Sequence, residues 1–147
     1  MIRNAHTSDI ETIAGFQAAM AMETENIKLD PETVIKGVKA VFDEPSKGFY
    51  LISEIEDEVV ACLMITLEWS DWRASTIWWI QSLYVKPEWR KKGIYKNMYI
   101  HLKEKMTGND SVGGIRLYVD KSNTRAQKVY EALGMDGEHY RLYEDIK

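Results

Sequence analysis

The amino-acid sequence predicts an α/β protein in which a central mixed β-sheet is flanked by about four helices. Two observations lead to this prediction. Three consecutive strand-like segments favour antiparallel hairpins, and the strand–helix–strand units that follow them favour parallel pairing. The chain has 147 residues, so we expect one domain over residues 1–147.

The first part of the chain predicts a short strand and two helices. Residues 1–6 fit the strand. Ser8 with Glu11 has the pattern of a capping box in front of an apolar helix face. Asp30 followed by Pro31 is a typical helix start, and apolar residues at helical spacing follow it.

The middle of the chain predicts three strands in succession. They cover residues 48–55, 59–69 and 75–85, with a tight turn at Glu56-Asp57 between the first two. The third is rich in Ile, Trp, Tyr and Val, and Pro87 stops it.

The last part of the chain predicts two helices and two strands in alternation. The first helix ends at Gly108, and a strand over residues 114–119 follows it. Ser122 or Asn123 caps the second helix, and a final strand is expected over residues 139–146.

Composition excludes several classes of protein. The chain carries 19 Lys and Arg against 23 Asp and Glu, a net charge of −4, which argues against a general nucleic-acid binder. Cys62 is the one cysteine, so an intrachain disulfide is impossible, and the three histidines lack metal-ligand spacing, so no metal is expected. The longest uncharged stretch, residues 74–85, is too short to cross a bilayer, and the N-terminus lacks a signal-peptide core. We therefore expect a cytoplasmic protein without membrane partners.

The most informative segment is the basic loop Arg90-Lys91-Lys92-Gly93, which lies between a strand and a helix. A glycine lets the backbone approach a ligand closely, and a helix N-terminus presents unpaired N–H groups and the positive end of its dipole. Three cations beside such a terminus suit a phosphate group. A solvated basic loop that merely caps the helix is the alternative.

Two motifs give the chain a resemblance to the GNAT superfamily of N-acetyltransferases. The first reads Arg90-x-x-Gly93-x-Tyr95, and the second reads Asn123-x-x-Ala126-x-x-x-Tyr130. Tyr95 stands where the family has a small residue, so its side chain either points away from the phosphates or remodels the loop. The order of elements also agrees with the family along nearly the whole chain.

The resemblance implies acetyl-CoA as the donor and small-amine or polyamine acetyltransferases as the nearest relatives in character. Backbone groups of the central strand would pair with the pantetheine arm, at Leu83, Tyr84 and Val85. The pyrophosphate would be held by the loop and the helix start, at Arg90, Lys91, Lys92, Gly93, Ile94 and Tyr95. From the second motif, Asn123 and Ala126 would lie along the pantetheine. Asn123 could equally be a helix N-cap.

The reaction is expected to be a direct attack by the amine, with Tyr130 as the general acid that protonates the leaving thiolate. The resemblance places an acidic pair where this chain has Gln81-Ser82, so the base must be sought elsewhere. Glu68 is the first candidate. The alternatives are the carboxylates of Asp71, Glu23 and Glu25, or a water molecule that relays the proton to solvent.

The acceptor is expected to be an ammonium-bearing small molecule, because acidic groups stand beside aromatic ones in the segments that the resemblance assigns to it. The expected substrate-binding residues are Glu23, Glu25, Trp69, Asp71, Trp72 and Gln81. A CoA-binding sensor with little catalysis, or a protein-lysine or N-terminal acetyltransferase, remains as an alternative. Trp78 and Trp79 alternate along one strand, so one of them should face outward, which suggests a homodimer.

Overall fold

A five-stranded mixed sheet organises the first part of the chain. The structure is a computed structural model that describes residues 1–147, and it divides into two units, residues 1–117 and residues 118–147. The strands are β1 (Ile2–Asn4), β2 (Phe49–Ile55), β3 (Glu58–Ser70), β4 (Ser75–Val85) and β5 (Val112–Leu117). The helices are α1 (Ile10–Glu25), α2 (Pro31–Asp43), α3 (Ile94–Thr107) and α4 (Thr124–Ala132).

The strand order in the sheet follows the chain, β1-β2-β3-β4-β5. The first three pairings are antiparallel, and two of them, β2 with β3 and β3 with β4, are hairpins. The pairing of β4 with β5 is parallel, with α3 as the crossover between them. The predicted mixed sheet is confirmed. The strand predicted over residues 114–119 begins two residues earlier, at Val112.

Helices α1 and α2 cover one face of the sheet. Alternate residues of β2 and β3, together with Tyr84 of β4, point toward these helices and form one buried cluster with them. Its members are Ile13, Ala14, Phe16, Val38, Val41, Tyr50, Ile52, Cys62 and Tyr84. Side chains of α3 such as Met98 and Leu102 are fully buried in the same unit, and α3 lies near β2 and β5.

The start of α1 differs from the prediction. The helix is preceded by a 3-10 turn at Thr7–Asp9, and the carboxylate of Asp9 accepts the His6 amide N–H at 2.7 Å. The capping pair is therefore His6 with Asp9, at the start of the 3-10 turn, and not Ser8 with Glu11. The predicted start of α2 is confirmed, since Asp30 accepts the Thr33 amide N–H at 2.9 Å.

The second unit contains α4 and an irregular segment after it. Gly134 ends the helix with a φ of +86°, a conformation that favours glycine. The final strand predicted over residues 139–146 is not present, and this prediction is wrong for the structure. Polar and apolar residues alternate over residues 139–142, which permits a strand, but a strand also needs another strand to pair with its backbone groups, and this segment belongs to no sheet. No helix in either unit combines the length and apolar character that a membrane span requires.

Candidate active site

The site begins at an irregularity in β4. Cys62 lies opposite Tyr84 and Met64 lies opposite Gln81, so β4 contains one residue more than β3 over this stretch. Ser82 takes up the extra length with a φ of +38°, which is a left-handed conformation that serine rarely adopts. This β-bulge redirects β4 immediately after its pairing with β5 ends.

The pairing between β4 and β5 ends at Ile80, which lies opposite Leu117. Residues 81–85 of β4 therefore have no partner in β5. An open strand edge of this kind can bind an extended ligand through main-chain hydrogen bonds, as an added strand would. The edge includes Leu83, Tyr84 and Val85, the positions expected to pair with a pantetheine arm.

The basic loop leads from this strand edge to the start of α3. Lys91 and Gly93 both have a positive φ, +63° and +75°. The first helical hydrogen bond runs from the Asn97 amide to the Gly93 carbonyl at 3.0 Å, so the N–H groups of residues 94–96 have no acceptor within the helix. A Cβ on Gly93 would meet no atom within 4 Å, so open space borders the loop here. The loop can therefore hold a phosphate group.

The side chains around this loop are oriented by aromatic contacts. The ring of Tyr95 lies 6.3 Å from the ring of Tyr99, one helical turn further on, so Tyr95 packs along α3 in spite of its size. Nζ of Lys92 lies 4.6 Å from the centre of the Trp89 ring. A tyrosine at the position where a small residue was expected is therefore compatible with an open loop.

Arg90 has protein partners on two sides. Its Nε donates to the Val85 carbonyl at 2.8 Å, and its Nη2 donates to Oε2 of Glu23 at 2.7 Å. The hydroxyl of Tyr84 lies 3.4 Å from the other oxygen of Glu23. Burial and the charge of Glu23 raise the pKa of Tyr84, so this hydroxyl stays protonated and can donate. These contacts place Glu23, one of the residues predicted to bind the acceptor, next to the bulge.

Glu68 is held in a polar cluster on the sheet. One of its carboxylate oxygens accepts from Nη1 of Arg116 at 2.9 Å, and the other accepts from the indole N–H of Trp79. Gln81 donates to the Thr66 hydroxyl at 3.3 Å on the same face of the sheet. Both oxygens of Glu68 are therefore engaged in contacts with the protein.

The other predicted acceptor-binding residues lie apart from Gln81. Trp69 is adjacent to Glu68 in β3, so it faces the opposite side of the sheet, and it is 67% exposed. Asp71 and Trp72 form the turn between β3 and β4, where Asp71 accepts the Trp72 amide N–H at 2.9 Å. Glu25 is exposed at the end of α1.

The two tryptophans of β4 alternate along the strand and differ in burial. Trp78 is buried, and Trp79 is partly buried and bonded to Glu68. The exposed tryptophan side chains are Trp69 and Trp72, on the neighbouring strand and its turn. Strand alternation alone cannot show how far a helix covers each face.

The second unit carries the remaining predicted residues. Asn123 caps α4, because its side chain accepts the Ala126 amide N–H at 3.1 Å. Tyr130 lies on the same helix, and burial raises the pKa of its hydroxyl, which therefore stays protonated at neutral pH.

A bulged strand with an open edge, followed by an anion-binding loop at a helix start, is the arrangement expected of an acyltransferase that uses coenzyme A. The model of the Acetyltransferase (GNAT) family matches residues 15–135, and the chain belongs to this family. The protein is therefore an acetyl-CoA-dependent acetyltransferase with a GNAT-like fold.

Solved structures share the fold of this chain. A possible acetyltransferase from Clostridium difficile 630 is 41% identical, with a TM-score of 0.93 over 100% of this chain and 97% of that one. A predicted acetyltransferase with acetyl-CoA from Clostridium acetobutylicum shares the fold at 16% identity, with a TM-score of 0.76 over 99% and 95% of the two chains. A ribosomal-protein-alanine N-acetyltransferase from Brucella melitensis biovar Abortus 2308 does so at 15% identity, with a TM-score of 0.80 over 100% and 99%. No curated protein matches the chain.

Proposed function

We propose that the protein transfers the acetyl group of acetyl-CoA to the primary amine of a small molecule or polyamine by direct attack. The observation that carries this proposal is the end of the β4–β5 pairing at Ile80, two residues before the bulge at Ser82. It leaves a strand edge for the pantetheine arm that continues directly into the basic loop. Residues 83–85 would bind the pantetheine arm. Within residues 90–95, some groups would bind the phosphates and the others would hold the basic loop in place.

When bound, acetyl-CoA supplies a thioester whose carbonyl carbon is attacked by the amine nitrogen, so that a C–N bond forms as the C–S bond breaks. Tyr130 would then donate its proton to the leaving sulfur and recover one from solvent. Burial raises the pKa of this hydroxyl, so the group carries a proton at neutral pH that it can donate.

The proton on the amine also needs an acceptor. Arg116 and Trp79 already donate to the two oxygens of Glu68, so this carboxylate is engaged in contacts with the protein. We therefore propose that water relays this proton to solvent. Carboxylates near the bulge would bind the protonated amine before it reacts.

A cationic acceptor fits the charge at the end of α1. Glu23 and Glu25 lie in the last helical turn, where no basic residue stands. Carboxylates at a helix C-terminus are unfavourable for the helix by a few tenths of a kcal/mol to about 1 kcal/mol each. An ammonium group would offset that cost, which supports a small amine or polyamine as the acceptor.

The donor site can be tested by thermal unfolding with and without acetyl-CoA. A ligand at about 100 times its dissociation constant stabilises the folded state by about 2.7 kcal/mol, which raises the midpoint by several degrees in a chain of this size. Replacing both Lys91 and Lys92 by alanine should reduce the shift, whereas Lys36→Ala on the exposed side of α2 should leave it unchanged. Equal shifts in all three proteins would show that the loop does not bind the donor.

The chemistry can be tested by release of CoA with a panel of amines. Tyr130→Phe should lower kcat by about 10² to 10⁴, since a general acid contributes that much. Tyr143→Phe, at a side chain 87% exposed, is the matched control. Full activity in Tyr130→Phe would refute the general-acid assignment, and turnover of lysine-containing peptides in place of small amines would refute the acceptor class.

We also propose that the protein is a homodimer. Leu67, Trp69 and Trp72 expose large apolar side chains on β3 and its turn, and such side chains often belong to interfaces. Light scattering on the purified protein should give twice the chain mass, and Trp69→Lys should lower it. A monomer at all concentrations would refute the dimer.

A further inference from the structure

The basic loop contains three cations, and the structure gives one of them a different environment from the other two. The guanidinium of Arg90 bonds to the Val85 carbonyl and to the Glu23 carboxylate, at 2.8 and 2.7 Å. Its Cζ also lies 5.5 Å from the centre of the Tyr84 ring. Arg90 therefore joins the end of β4 to the last turn of α1.

Glu23 is held from two directions. Arg90 donates to Oε2, and the hydroxyl of Tyr84 donates to Oε1 over 3.4 Å. The ring of Tyr84 is itself fixed, since it packs on Phe16 of α1 with 5.0 Å between ring centres. A long, partly exposed carboxylate with two fixed donors has a defined position beside the bulge, although a surface glutamate normally samples several rotamers.

This arrangement is costly for α1 taken alone. The helix ends with Glu23 and Glu25 and without a basic residue in its last turn, and Asn26 follows in a left-handed conformation with φ +53°. The negative end of the helix dipole repels both carboxylates. Arg90 pairs with one of them from another element, so the position of the Glu23 carboxylate depends on the loop and not only on its own helix.

We propose that Arg90 is a positioning residue for the acceptor: with Tyr84 it holds the Glu23 carboxylate beside the bulge, where Glu23 receives the ammonium group of the amine. The phosphates of the donor are then left to Lys91, Lys92 and the N–H groups at the start of α3. This inference rests on the proposed function, and it changes the role expected for Arg90 from phosphate ligand to support of the acceptor site.

The test separates donor binding from acceptor binding. Arg90→Ala, Glu23→Gln and the double variant are compared with the Lys91→Ala plus Lys92→Ala protein, and Arg125→Ala on α4 serves as the arginine control. Calorimetry measures the Kd for CoA, and steady-state kinetics measures KM for the best amine of the panel and kcat. Thermal midpoints without ligand show that each variant folds.

The expected result is a split between the two substrates. Arg90→Ala and Glu23→Gln should change the Kd for CoA by less than about threefold and raise the amine KM by about tenfold, which corresponds to about 1.4 kcal/mol. The double variant should be no worse than the worse single variant, because both remove the same unit. The lysine variant should weaken CoA binding by about tenfold and leave the amine KM unchanged.

Two results would overturn the inference. One is a loss of CoA affinity in Arg90→Ala as large as in the lysine variant, which would make Arg90 a phosphate ligand. The other is an amine KM that Glu23→Gln does not change. If CoA binds but no amine is turned over, the proposed function fails. The CoA affinity of Arg90→Ala then still decides whether the guanidinium serves the donor.

Discussion

Arg3 connects three elements of the first unit, and its removal gives a sharp test of the structure. The guanidinium donates to both oxygens of Asp9 at 2.9 and 3.2 Å and to Glu54 at 2.9 Å. Arg3 lies in β1, Asp9 precedes α1 and Glu54 lies in β2. The side chain of Asp9 is only 8% exposed, so its charge depends on this partner.

Arg3→Met should lower the free energy of unfolding by about 2 to 3 kcal/mol at neutral pH. Leaving one member of a buried ion pair uncompensated costs about 3 to 5 kcal/mol. The expected loss in free energy of unfolding is smaller for Arg3→Met, because the Arg3 side chain is 23% exposed and Asp9 keeps the hydrogen bond from the His6 amide at 2.7 Å. Chemical denaturation of the variant, the wild type and Arg125→Met as an exposed control measures the difference.

The pH dependence of this difference identifies Asp9 as its cause. Burial alone would raise the pKa of Asp9, but the hydrogen bonds from Arg3 and from the His6 amide lower it below 3.8. The folded state therefore gains stability from Asp9 above the unfolded pKa and loses it as the pH falls through the folded pKa. The difference between Arg3→Met and wild type should shrink in this acid range. A variant as stable as the wild type, or a difference that does not change with pH, would refute the reasoning.

Three further predictions concern the backbone and the buried thiol. Gly48→Ala should lower the free energy of unfolding, measured by chemical denaturation, by about 3 kcal/mol or more, because its Cβ would lie 1.9 Å from a backbone carbonyl oxygen. Gly37→Ala is the control and should not lower it, because a Cβ there would meet no atom within 4 Å. Ser82→Val should cost about 1 to 2 kcal/mol and Ser82→Gly nothing, since φ is +38°, and equal midpoints for both would exclude the left-handed bulge. Burial raises the pKa of the Cys62 thiol to about 12, so a thiol reagent at pH 8 should modify it only after denaturation. The buried thiol stabilises the folded state below pH 9, and this contribution is lost as the pH rises toward 12. Immediate labelling of the native protein would contradict the buried position.

Local patterns were sufficient for most elements. The Asp30-Pro31 start of α2, the tight turn at Glu56-Asp57 and the run of β4 over residues 75–85 are as predicted. Each depends on neighbouring residues only: a cap and a proline, two residues able to adopt positive φ, or a stretch of β-branched and aromatic residues. The two motifs likewise led to the family, which the match over residues 15–135 confirms.

The failures share one cause, which is that they depend on partners distant in sequence. Residues 139–142 alternate as a strand should, yet a strand forms only when another strand pairs with it. The ion pair of Glu68, the first candidate for the base, likewise depends on a distant residue, Arg116, which lies 48 residues away. Nothing local identifies that pairing.

The sequence by itself determined the order of elements from β1 to α4, the basic loop at the start of α3 and the membership of an acetyltransferase family, because these depend on local spacing and residue type. Tertiary structure decided that Ser82 carries the bulge and that the β4–β5 pairing ends at Ile80. It also decided that Arg90 meets Glu23, 67 residues away. Register and ion pairs of this kind result from the packing of whole elements, where the energy of each contact depends on groups that the local sequence does not contain.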